Sequence, residues 1–314
     1  MPRAPGAWPP WRGRRRSGVA ERRARLALAL VRACARLPLP LAHALGAALG
    51  WLLARVPNRT RRVAAINLAR CFPELSPAAR RRLLRRSLVE AGKTLTEVGA
   101  LWTWPREALA PLVREIRGRE AVDAALAAGR GVILATPHLG SWEMAGHVCG
   151  MEWGITSLYR PPRLQGVEAF MKAGREHLGA RLVRTDRRGV RILYERLRAG
   201  GVVGILPDQE PGPEGGVFAP FFGHPAWTMV LLPRLARRTG AAVFVGYCER
   251  LPRARGYRLH IHPVDAAAIR DADPGTAAAA LNRAVEACVR ACPEQYQWGY
   301  RRFRTRPPGE PPWY

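Results

Sequence analysis

The feature that most limits the fold of this chain is an alternation of short apolar segments with longer amphipathic ones. The run Gly-Val-Ile-Leu-Ala-Thr at 131–136 is bounded by turn-forming residues, which is typical of a strand buried on both faces. Further strands are predicted at 201–206, 241–248 and 257–263. Helices are predicted at 77–101, 117–128, 165–178, 187–199, 228–239 and 276–292. Strands that alternate with helices in this way predict a layered α/β domain.

Composition sets the scale of the domain and the kind of partner it meets. The chain has 314 residues, 48% of them hydrophobic, which suits one sizeable domain with an appendage and excludes wholesale disorder. The formal net charge is +27, and all but Lys93 and Lys172 of the basic residues are arginine. Part of this excess is typical of a GC-rich genome. The remainder favours an anionic partner: a membrane surface, an acidic carrier protein, a phosphorylated lipid or nucleic acid.

Two further groups of residues give weaker indications. Five arginines near the start of the predicted helix 77–101 form either a solvated face or a docking surface for lipid headgroups or an acidic carrier; they are Arg80, Arg81, Arg82, Arg85 and Arg86. The six cysteines form no C-x-x-C pair in a chain too large to need disulfides. We therefore predict that they are reduced thiols packed in the core.

The N-terminal region divides into a basic and an apolar part. Residues 1–25 are rich in proline, glycine and arginine, which predicts a disordered basic tail. Residues 26–56 are apolar, with a charge-free run at 37–54 that contains Pro38 and Pro40. This run is at the lower limit for crossing a bilayer. A single anchor helix, an interfacial or re-entrant helix pair broken at the prolines, and a buried helix of a soluble domain all remain open; the polybasic flanks favour membrane attachment.

A histidine and a glutamate follow the first predicted strand. His138 comes directly after that strand, and Glu143 lies in the segment Leu-Gly-Ser-Trp-Glu that opens the next helix. The carboxyl ends of strands in α/β sheets are common ligand sites, and a histidine oriented by a carboxylate is a general base. On one continuous helix the two side chains would be about 140° apart. We therefore expect His138 in the turn before the helix, a turn that Gly140 makes easier. This pair alone leaves a buried core histidine as an open alternative.

Six ordered blocks together resemble a known family, the late acyltransferases of lipid A biosynthesis (lauroyl and myristoyl transferases). The blocks are Arg61-Arg-Val-Ala-Ala-Ile-Asn-Leu-Ala-Arg-Cys-Phe-Pro-Glu-Leu-Ser76, Pro137-His-Leu-Gly-Ser-Trp-Glu143, Tyr159-Arg-Pro-Pro162, Leu206-Pro-Asp-Gln-Glu210, Val217-Phe-Ala-Pro-Phe-Phe-Gly223 with Pro225-Ala-Trp-Thr228, and Pro293-Glu-Gln-Tyr-Gln-Trp298 leading to Arg301-Arg-Phe-Arg-Thr-Arg-Pro307. Their order and spacing run as in the family over about residues 24–307. Two positions depart from it: Pro137 replaces a frequent asparagine, and Gly-Tyr precedes Arg301 where many members have histidine.

The resemblance implies a fold, a reaction and a set of site residues. It implies a central mixed sheet flanked by helices, with a membrane-associating helical segment at 26–56 and the acyltransferase domain at 57–307; residues 308–314 are then a C-terminal tail. His138 and Glu143 match the family's catalytic pair. Four other positions match its recurrent polar residues and are expected to bind or support substrate: Arg160, Arg175, Asp208 and Gln209. No metal or other cofactor is expected.

The implied reaction moves a fatty acyl chain from an acyl-carrier-protein thioester to a hydroxyl of a lipid A precursor. The implied location is the cytoplasmic face of the cell inner membrane. Three alternatives stay open: an acyltransferase for another lipid acceptor, a non-enzymatic basic protein that binds membrane or nucleic acid, and a hydrolase. The sequence lacks a nucleic-acid-binding module and a G-x-S-x-G nucleophile motif, so we expect no nucleic-acid partner and favour acyl transfer.

Overall fold

The structure, a computed structural model, describes residues 18–162 and 165–314 as helices packed on a central sheet. The helices are α1 (Gly18–Ala35), α2 (Leu39–Leu53), α3 (Arg59–Cys71), α4 (Pro77–Thr103), α5 (Arg106–Leu109), α6 (Arg119–Ala127), α7 (Trp142–Trp153), α8 (Glu168–Glu176), α9 (Arg187–Arg198), α10 (Leu231–Thr239), α11 (Ala266–Ile269) and α12 (Pro274–Ala291). The strands are β1 (Val113–Arg117), β2 (Val132–Ala135), β3 (Thr156–Tyr159), β4 (Arg181–Arg184), β5 (Val202–Ile205), β6 (Gly216–Phe221), β7 (His224–Met229), β8 (Ala242–Arg250) and β9 (Tyr257–Pro263).

Seven strands form the central sheet, in the order β1-β9-β8-β2-β5-β3-β4. Neighbouring strands are parallel except for the antiparallel pair β8 and β9, and β6 and β7 form a separate antiparallel hairpin. The predicted α/β fold with a central sheet flanked by helices is therefore confirmed. The four strands predicted from apolar runs are β2, β5, β8 and β9. Three further strands of the sheet, β1, β3 and β4, lie at or next to its edges, where polar residues are tolerated.

The core occupies both faces of the sheet. On β2, Ile133 and Ala135 pack with leucines of α9, α10 and α12, whereas Val132 and Leu134 pack with residues of α6 and α7. Burial on both faces explains why β2 is an unbroken apolar run. Each such side chain contributes about 1.5–3 kcal/mol when fully buried. The six cysteines are free thiols, and all but Cys34 are buried.

The N-terminal apolar segment is a pair of helices packed on α4. α1 ends at Ala35 and α2 begins after Pro38, so the charge-free run is divided by the prolines into a turn and a helix of 15 residues. The break at the prolines agrees with the helix-pair alternative, and the association of this pair with a membrane stays a prediction. Among residues 18–162 and 165–314, every helix is too short or too polar to cross a membrane. The predicted tail needs a correction: residues 1–17 lie outside the described residues, but 18–25 are helical, because Ala24 is buried in the fold.

α2 and α4 cross at unusually close range because glycines face each other. A Cβ added to Gly92 would lie 2.0 Å from the carbonyl oxygen of Gly46. A Cβ added to Gly50 would lie 2.2 Å from the carbonyl oxygen of Leu88. Backbone atoms form these contacts, so a larger residue forces the two helices apart.

We expect Gly92→Ala to lower the free energy of unfolding by about 1–3 kcal/mol, the usual penalty of overpacking. Gly146, in α7, is a matched helical control with no atom within 4 Å of an added Cβ. Gly146→Ala should raise stability by about 0.5–1 kcal/mol, because alanine loses less backbone entropy in a helix. Urea unfolding followed by circular dichroism measures both. Equal shifts for the two variants would contradict the proposed close contact.

The last residues differ from the predicted tail because they pack on the domain. Trp313 is buried, with its ring centroid 4.2 Å from that of Phe303 and 4.9 Å from that of His224. The Tyr314 hydroxyl donates to the side-chain oxygen of Asn67 in α3. The domain therefore extends to the end of the chain, because two terminal aromatic residues are anchored by stacking and hydrogen bonding.

Candidate active site

His138 lies in the turn that joins the carboxyl end of β2 to the start of α7. This is the predicted position, in the turn before the helix and not on it. Gly140 makes the turn with φ +65°, and a Cβ there would lie 2.0 Å from the carbonyl oxygen of Cys248 on β8. The Ser141 backbone N–H donates to the same carbonyl, at 2.7 Å. A glycine is therefore required, since both the left-handed conformation and the close approach exclude a side chain.

Asp208 orients the imidazole of His138. Asp208 follows β5, the neighbour of β2, and one of its carboxylate oxygens lies 2.8 Å from His138 Nδ1. The other accepts the backbone N–H of His138, at 3.0 Å. A carboxylate only accepts, so this contact assigns the proton to Nδ1 and makes Nε2 the acceptor nitrogen of the ring. Burial opposes the charge on Asp208, but the nearby imidazole and the hydrogen bonds from His138 outweigh it, and the pKa of Asp208 is lowered.

The Nε2 side of His138 faces a cluster of polar groups. The Gln209 amide nitrogen lies 3.2 Å from Nε2 and also donates to the side-chain oxygen of Gln297, at 3.1 Å. The backbone N–H of Gln297 in turn donates to the carbonyl of His138. The Trp142 ring packs edge-on against the imidazole, with 5.1 Å between centroids. The His138 side chain is 15% exposed and that of Asp208 is 3% exposed, so the imidazole is mostly buried and its partner carboxylate more so.

Glu143 has different partners from those predicted. Its carboxylate accepts two hydrogen bonds from the Arg175 guanidinium and one from the Trp102 indole N–H, at 2.9 Å. Burial would raise its pKa, but the Arg175 charge and these bonds more than offset this, and the pKa of Glu143 is lowered. The expectation that Glu143 holds the imidazole is thus corrected: Asp208 takes that place. The Trp142 ring packs against His138, whereas the next residue, Glu143, points toward Arg175 of α8.

The structure groups the predicted residues into two clusters. His138, Asp208 and Gln209 form one, and Glu143 with Arg175 forms the other. Arg160 is exposed after β3 and makes no hydrogen bond or salt bridge to any other residue that the structure describes. Whether these residues act in catalysis or binding stays a prediction.

A buried ionic network behind the turn was not predicted from the sequence. Glu97 of α4 accepts hydrogen bonds from Ser141, Tyr257 and Arg250, and lies 2.9 Å from His43. The Arg250 guanidinium also donates to the carbonyl of Gly140, at 3.1 Å. Burial opposes the charge on Glu97, but the Arg250 charge and the hydrogen bonds hold its pKa well below the ordinary value. The network therefore connects Gly140 and Ser141, in the turn after His138, to α4.

A second anchor fixes the segment that carries Asp208. Glu210 is buried and accepts hydrogen bonds from the side chains of Arg304 and Thr305 and from the Thr305 backbone. Its own backbone N–H donates to the Tyr300 hydroxyl. Asp208 is therefore held between β5 and the C-terminal segment. An acidic residue two positions after Asp208, with a basic C-terminal run, was the available sequence signal.

His147, one turn after Glu143 on α7, gives a pH prediction. Burial is the main cause that lowers its pKa from 6.5 to about 4. Above pH 6.5 the imidazole is neutral in both states; as the pH falls from 6.5 to about 4, only the unfolded chain gains the proton, so stability is lost. The loss is about 3 kcal/mol. His147→Leu should abolish this part of the pH dependence. Urea unfolding of both proteins at several pH values checks it, and parallel curves would contradict it.

Comparison with known proteins identifies the family of this chain. The family model described as bacterial lipid A biosynthesis acyltransferase matches residues 19–305. A lipid A biosynthesis lauroyltransferase of Escherichia coli K12 is 33% identical over 277 residues, which cover 88% of this chain and 89% of that protein. A palmitoleoyltransferase of the same pathway and organism is 32% identical over 276 residues, with the same coverage.

A match over a shorter part of the chain is named for a different lipid. A phosphatidylinositol mannoside acyltransferase of Mycobacterium tuberculosis is 33% identical over 199 residues, 62% of this chain and 63% of that protein. The match to the family model nevertheless includes nearly all of the described fold and both clusters of polar residues. The chain belongs to the bacterial lipid A biosynthesis acyltransferase family.

Proposed function

We propose that this protein transfers a fatty acyl chain from an acyl-carrier-protein thioester to a hydroxyl of a lipid A precursor, with His138 as general base. The observation that carries the proposal is the contact of Asp208 with Nδ1, which leaves Nε2 as the acceptor nitrogen of a ring whose side chain is 15% exposed. A histidine oriented in this way accepts a proton from a bound hydroxyl near neutral pH. The family to which the chain belongs supports the acyl transfer.

The proposed reaction is a direct attack without a covalent enzyme intermediate. The acceptor hydroxyl replaces the Gln209 amide beside Nε2, and its oxygen attacks the thioester carbonyl carbon while Nε2 takes its proton. Asp208 stabilises the resulting imidazolium. The tetrahedral intermediate then collapses: the carbon–sulfur bond breaks, and the departing thiolate takes the proton from the imidazolium. A thioester is already activated, so no side-chain nucleophile is needed.

The Glu143–Arg175 pair supports the transition state in this proposal. Glu143 lies in the first turn of α7 and fixes the Arg175 guanidinium, which remains partly exposed. A fixed guanidinium and the free N–H groups at a helix start are suited to stabilise a developing oxyanion or to hold a phosphate. Arg160, exposed after β3, is proposed to bind substrate at the rim of the site.

The exposed apolar side chains support attachment to a membrane. Large exposed hydrophobic residues of the described chain are confined to α1, α2, the residues just after α2, and α4: Leu26, Leu30, Leu41, Leu45, Leu49, Trp51, Leu52, Val56 and Leu95. An apolar patch rimmed by arginines is typical of a surface that enters the interface of an anionic membrane. We propose that the α1–α2 pair associates with the cytoplasmic face of the inner membrane.

The excess positive charge supports an acidic acyl donor. Arg80, Arg81, Arg82 and Arg85 of α4 form no salt bridge to another residue within 18–162 and 165–314. Unpaired arginines on one helix end are available to attract an acidic carrier protein, with an association that weakens as salt is added.

A second acceptor class remains a candidate. The mycobacterial relative is named for a phosphatidylinositol mannoside, which is a glycolipid other than lipid A. The same base and thioester chemistry would serve either acceptor, because the hydroxyl alone reacts.

The test is transfer of label from radiolabelled acyl carrier protein thioester by the purified chain, with each acceptor supplied separately. Label in the lipid A precursor supports the proposal, and label only in another glycolipid supports the second acceptor class. Release to water alone would indicate a hydrolase and contradict the proposal. No turnover with any acceptor would favour a non-enzymatic basic protein.

A further inference from the structure

A basic cavity lies beside the N-terminus of α3, away from the residues assigned to the reaction. Its volume is about 600 Å³, and its charged lining consists of Arg59, Arg61, Arg62 and Arg301. Val63, Ile66 and Leu84 are among the apolar residues that complete the lining. Arg61, Arg62 and Arg301 come from two stretches of the six sequence blocks, 61–76 and 301–307, to which the reaction assigns no role.

The arginines of this cavity have no carboxylate partner in the described chain, although the Arg301 guanidinium lies 5.6 Å from the centroid of the Tyr314 ring. The Nε atoms of Arg61 and Arg301 are buried and make no hydrogen bond. Neither guanidinium forms a salt bridge, and the cavity lining includes no Asp or Glu side chain of the described residues. A buried guanidinium nitrogen without a partner is costly. An anion in the cavity would supply the missing hydrogen-bond acceptors.

The local helix makes the cost larger. Arg59, Arg61 and Arg62 lie in the first turn of α3, which contains no acidic residue. The N-terminus of a helix carries a partial positive charge, so each arginine there is electrostatically unfavourable. Arg59, Arg61 and Arg62 therefore lower the stability of α3. A bound anion would reverse the sign of that interaction.

The surroundings of the cavity indicate what kind of anion it takes. Pro57, which lines the cavity, follows directly after the exposed Val56 and the exposed end of α2. The apolar surface proposed to meet the membrane thus continues to the edge of the basic cavity. A ligand with hydrocarbon chains beside α2 and a phosphate among the arginines would match both the apolar surface and the basic cavity. A guanidinium group can donate two hydrogen bonds to the oxygens of one phosphate.

The cavity is also linked to the reaction site by a short stretch of chain. Gln297 donates its backbone N–H to the carbonyl of His138, and Arg301 is four residues further on. Consecutive Cα atoms are about 3.8 Å apart, so the Cα atoms of Gln297 and Arg301 lie within about 15 Å of each other. One lipid headgroup is large enough to reach from the cavity toward the base.

We propose that Arg61 and Arg301 form a binding site for the phosphate of a membrane lipid. The inference rests on the membrane attachment proposed above, but phosphate binding is measurable without acyl transfer. The lipid is either the acceptor itself or an anionic phospholipid of the surrounding membrane.

The binding test uses the full-length chain and phosphatidylcholine vesicles with and without phosphatidic acid. The variant is Arg61→Gln/Arg301→Gln, and the matched control is Arg234→Gln/Arg238→Gln, which removes the same charge from exposed positions on α10. Hydrogen bonds to charged groups contribute about 1.5–3 kcal/mol each. We therefore expect the cavity variant to bind phosphatidic acid vesicles at least about tenfold more weakly than wild type. The control should bind less than about twofold more weakly, as expected for screened surface charges.

Thermal unfolding separates a binding role from a structural one. Because Arg61 opposes the α3 dipole and Arg301 forms no salt bridge in the described chain, the cavity variant should melt at about the same temperature as wild type. Weaker binding together with a lower melting temperature would overturn the proposal, since the arginines would then serve the fold. Equal losses of binding in both double variants would also overturn it, since general surface charge would explain the result.

Steady-state kinetics then identify the source of the phosphate. A higher KM for the acceptor, with an unchanged KM for the carrier thioester, assigns the site to the acceptor. Weaker vesicle binding with both KM values unchanged assigns it to the surrounding phospholipid. A higher KM for the carrier thioester alone would overturn the proposal, because the ligand would belong to the protein donor. If wild type shows no transfer, the vesicle measurement still tests the cavity, and only the proposed function fails.

Discussion

His138→Ala is expected to lower kcat for acyl transfer by about 10²–10⁴-fold, the usual contribution of a positioned general base. The structure assigns no other base to the acceptor hydroxyl at this position, and the loss should therefore appear in kcat even when both substrates are saturating. Transfer of label from the carrier thioester to the lipid measures it. Activity near the wild-type rate in the purified variant would contradict the role of His138.

A second variant, His138→Gln, distinguishes a loss of catalysis from a loss of folding. His138→Ala leaves the buried Asp208 carboxylate without its imidazole partner, which carries a stability cost of about 1–3 kcal/mol. His138→Gln places an amide donor near Asp208 but supplies no base. It should retain more stability than His138→Ala and be equally inactive. Recovery of activity with glutamine would show that hydrogen bonding, and not proton transfer, is what the reaction needs.

The largest loss of stability is expected for Glu97→Gln. The change keeps the shape of the side chain but removes the more deeply buried of two carboxylates, Glu97 and Glu90, that pair with the buried Arg250 guanidinium. Breaking a buried ion pair by removing one partner typically costs about 3–5 kcal/mol, and we expect the lower end of this range because Glu90 still pairs with Arg250. The same network holds Gly140 and Ser141, so kcat should fall as well when the turn after His138 loosens.

Glu294→Gln is the matched control for this prediction. Glu294 pairs with Arg86 on the surface, where the Arg86 side chain is 62% exposed. An exposed pair of this kind contributes at most about 1 kcal/mol. Urea unfolding compares the two variants with wild type. A Glu97→Gln protein as stable as Glu294→Gln would show that the buried network does not stabilise the fold.

The parts of the fold that follow from local patterns were predictable from the sequence. β2 and β5 are apolar on both faces and bounded by turn formers, and the position of His138 in the turn follows from helix geometry. β3 and β4 were missed because each mixes polar and apolar residues. Such segments become strands through pairing with neighbours, and this pairing has no local signal.

The site shows the same division between local and long-range information. Glu143 is five residues from His138 and was the nearest carboxylate in the sequence, whereas Asp208 is 70 residues away. Only the parallel pairing of β2 with β5 brings Asp208 beside the imidazole. Glu97 and Arg250, 153 residues apart, likewise meet through the packing of α4 against the end of β8. Sequence proximity was therefore a poor guide to the partner of the histidine.

The measurement that tests the central assignment most directly is ¹⁵N NMR of the His138 ring in the full-length chain. The chain has seven histidines, and the His138→Ala spectrum identifies the signal. We predict a neutral Nδ1–H tautomer in wild type and in Glu143→Gln, and its loss in Asp208→Asn together with a fall in kcat of about 10²–10⁴-fold. A tautomer that changes in Glu143→Gln but persists in Asp208→Asn would contradict the assignment and return the orienting role to Glu143.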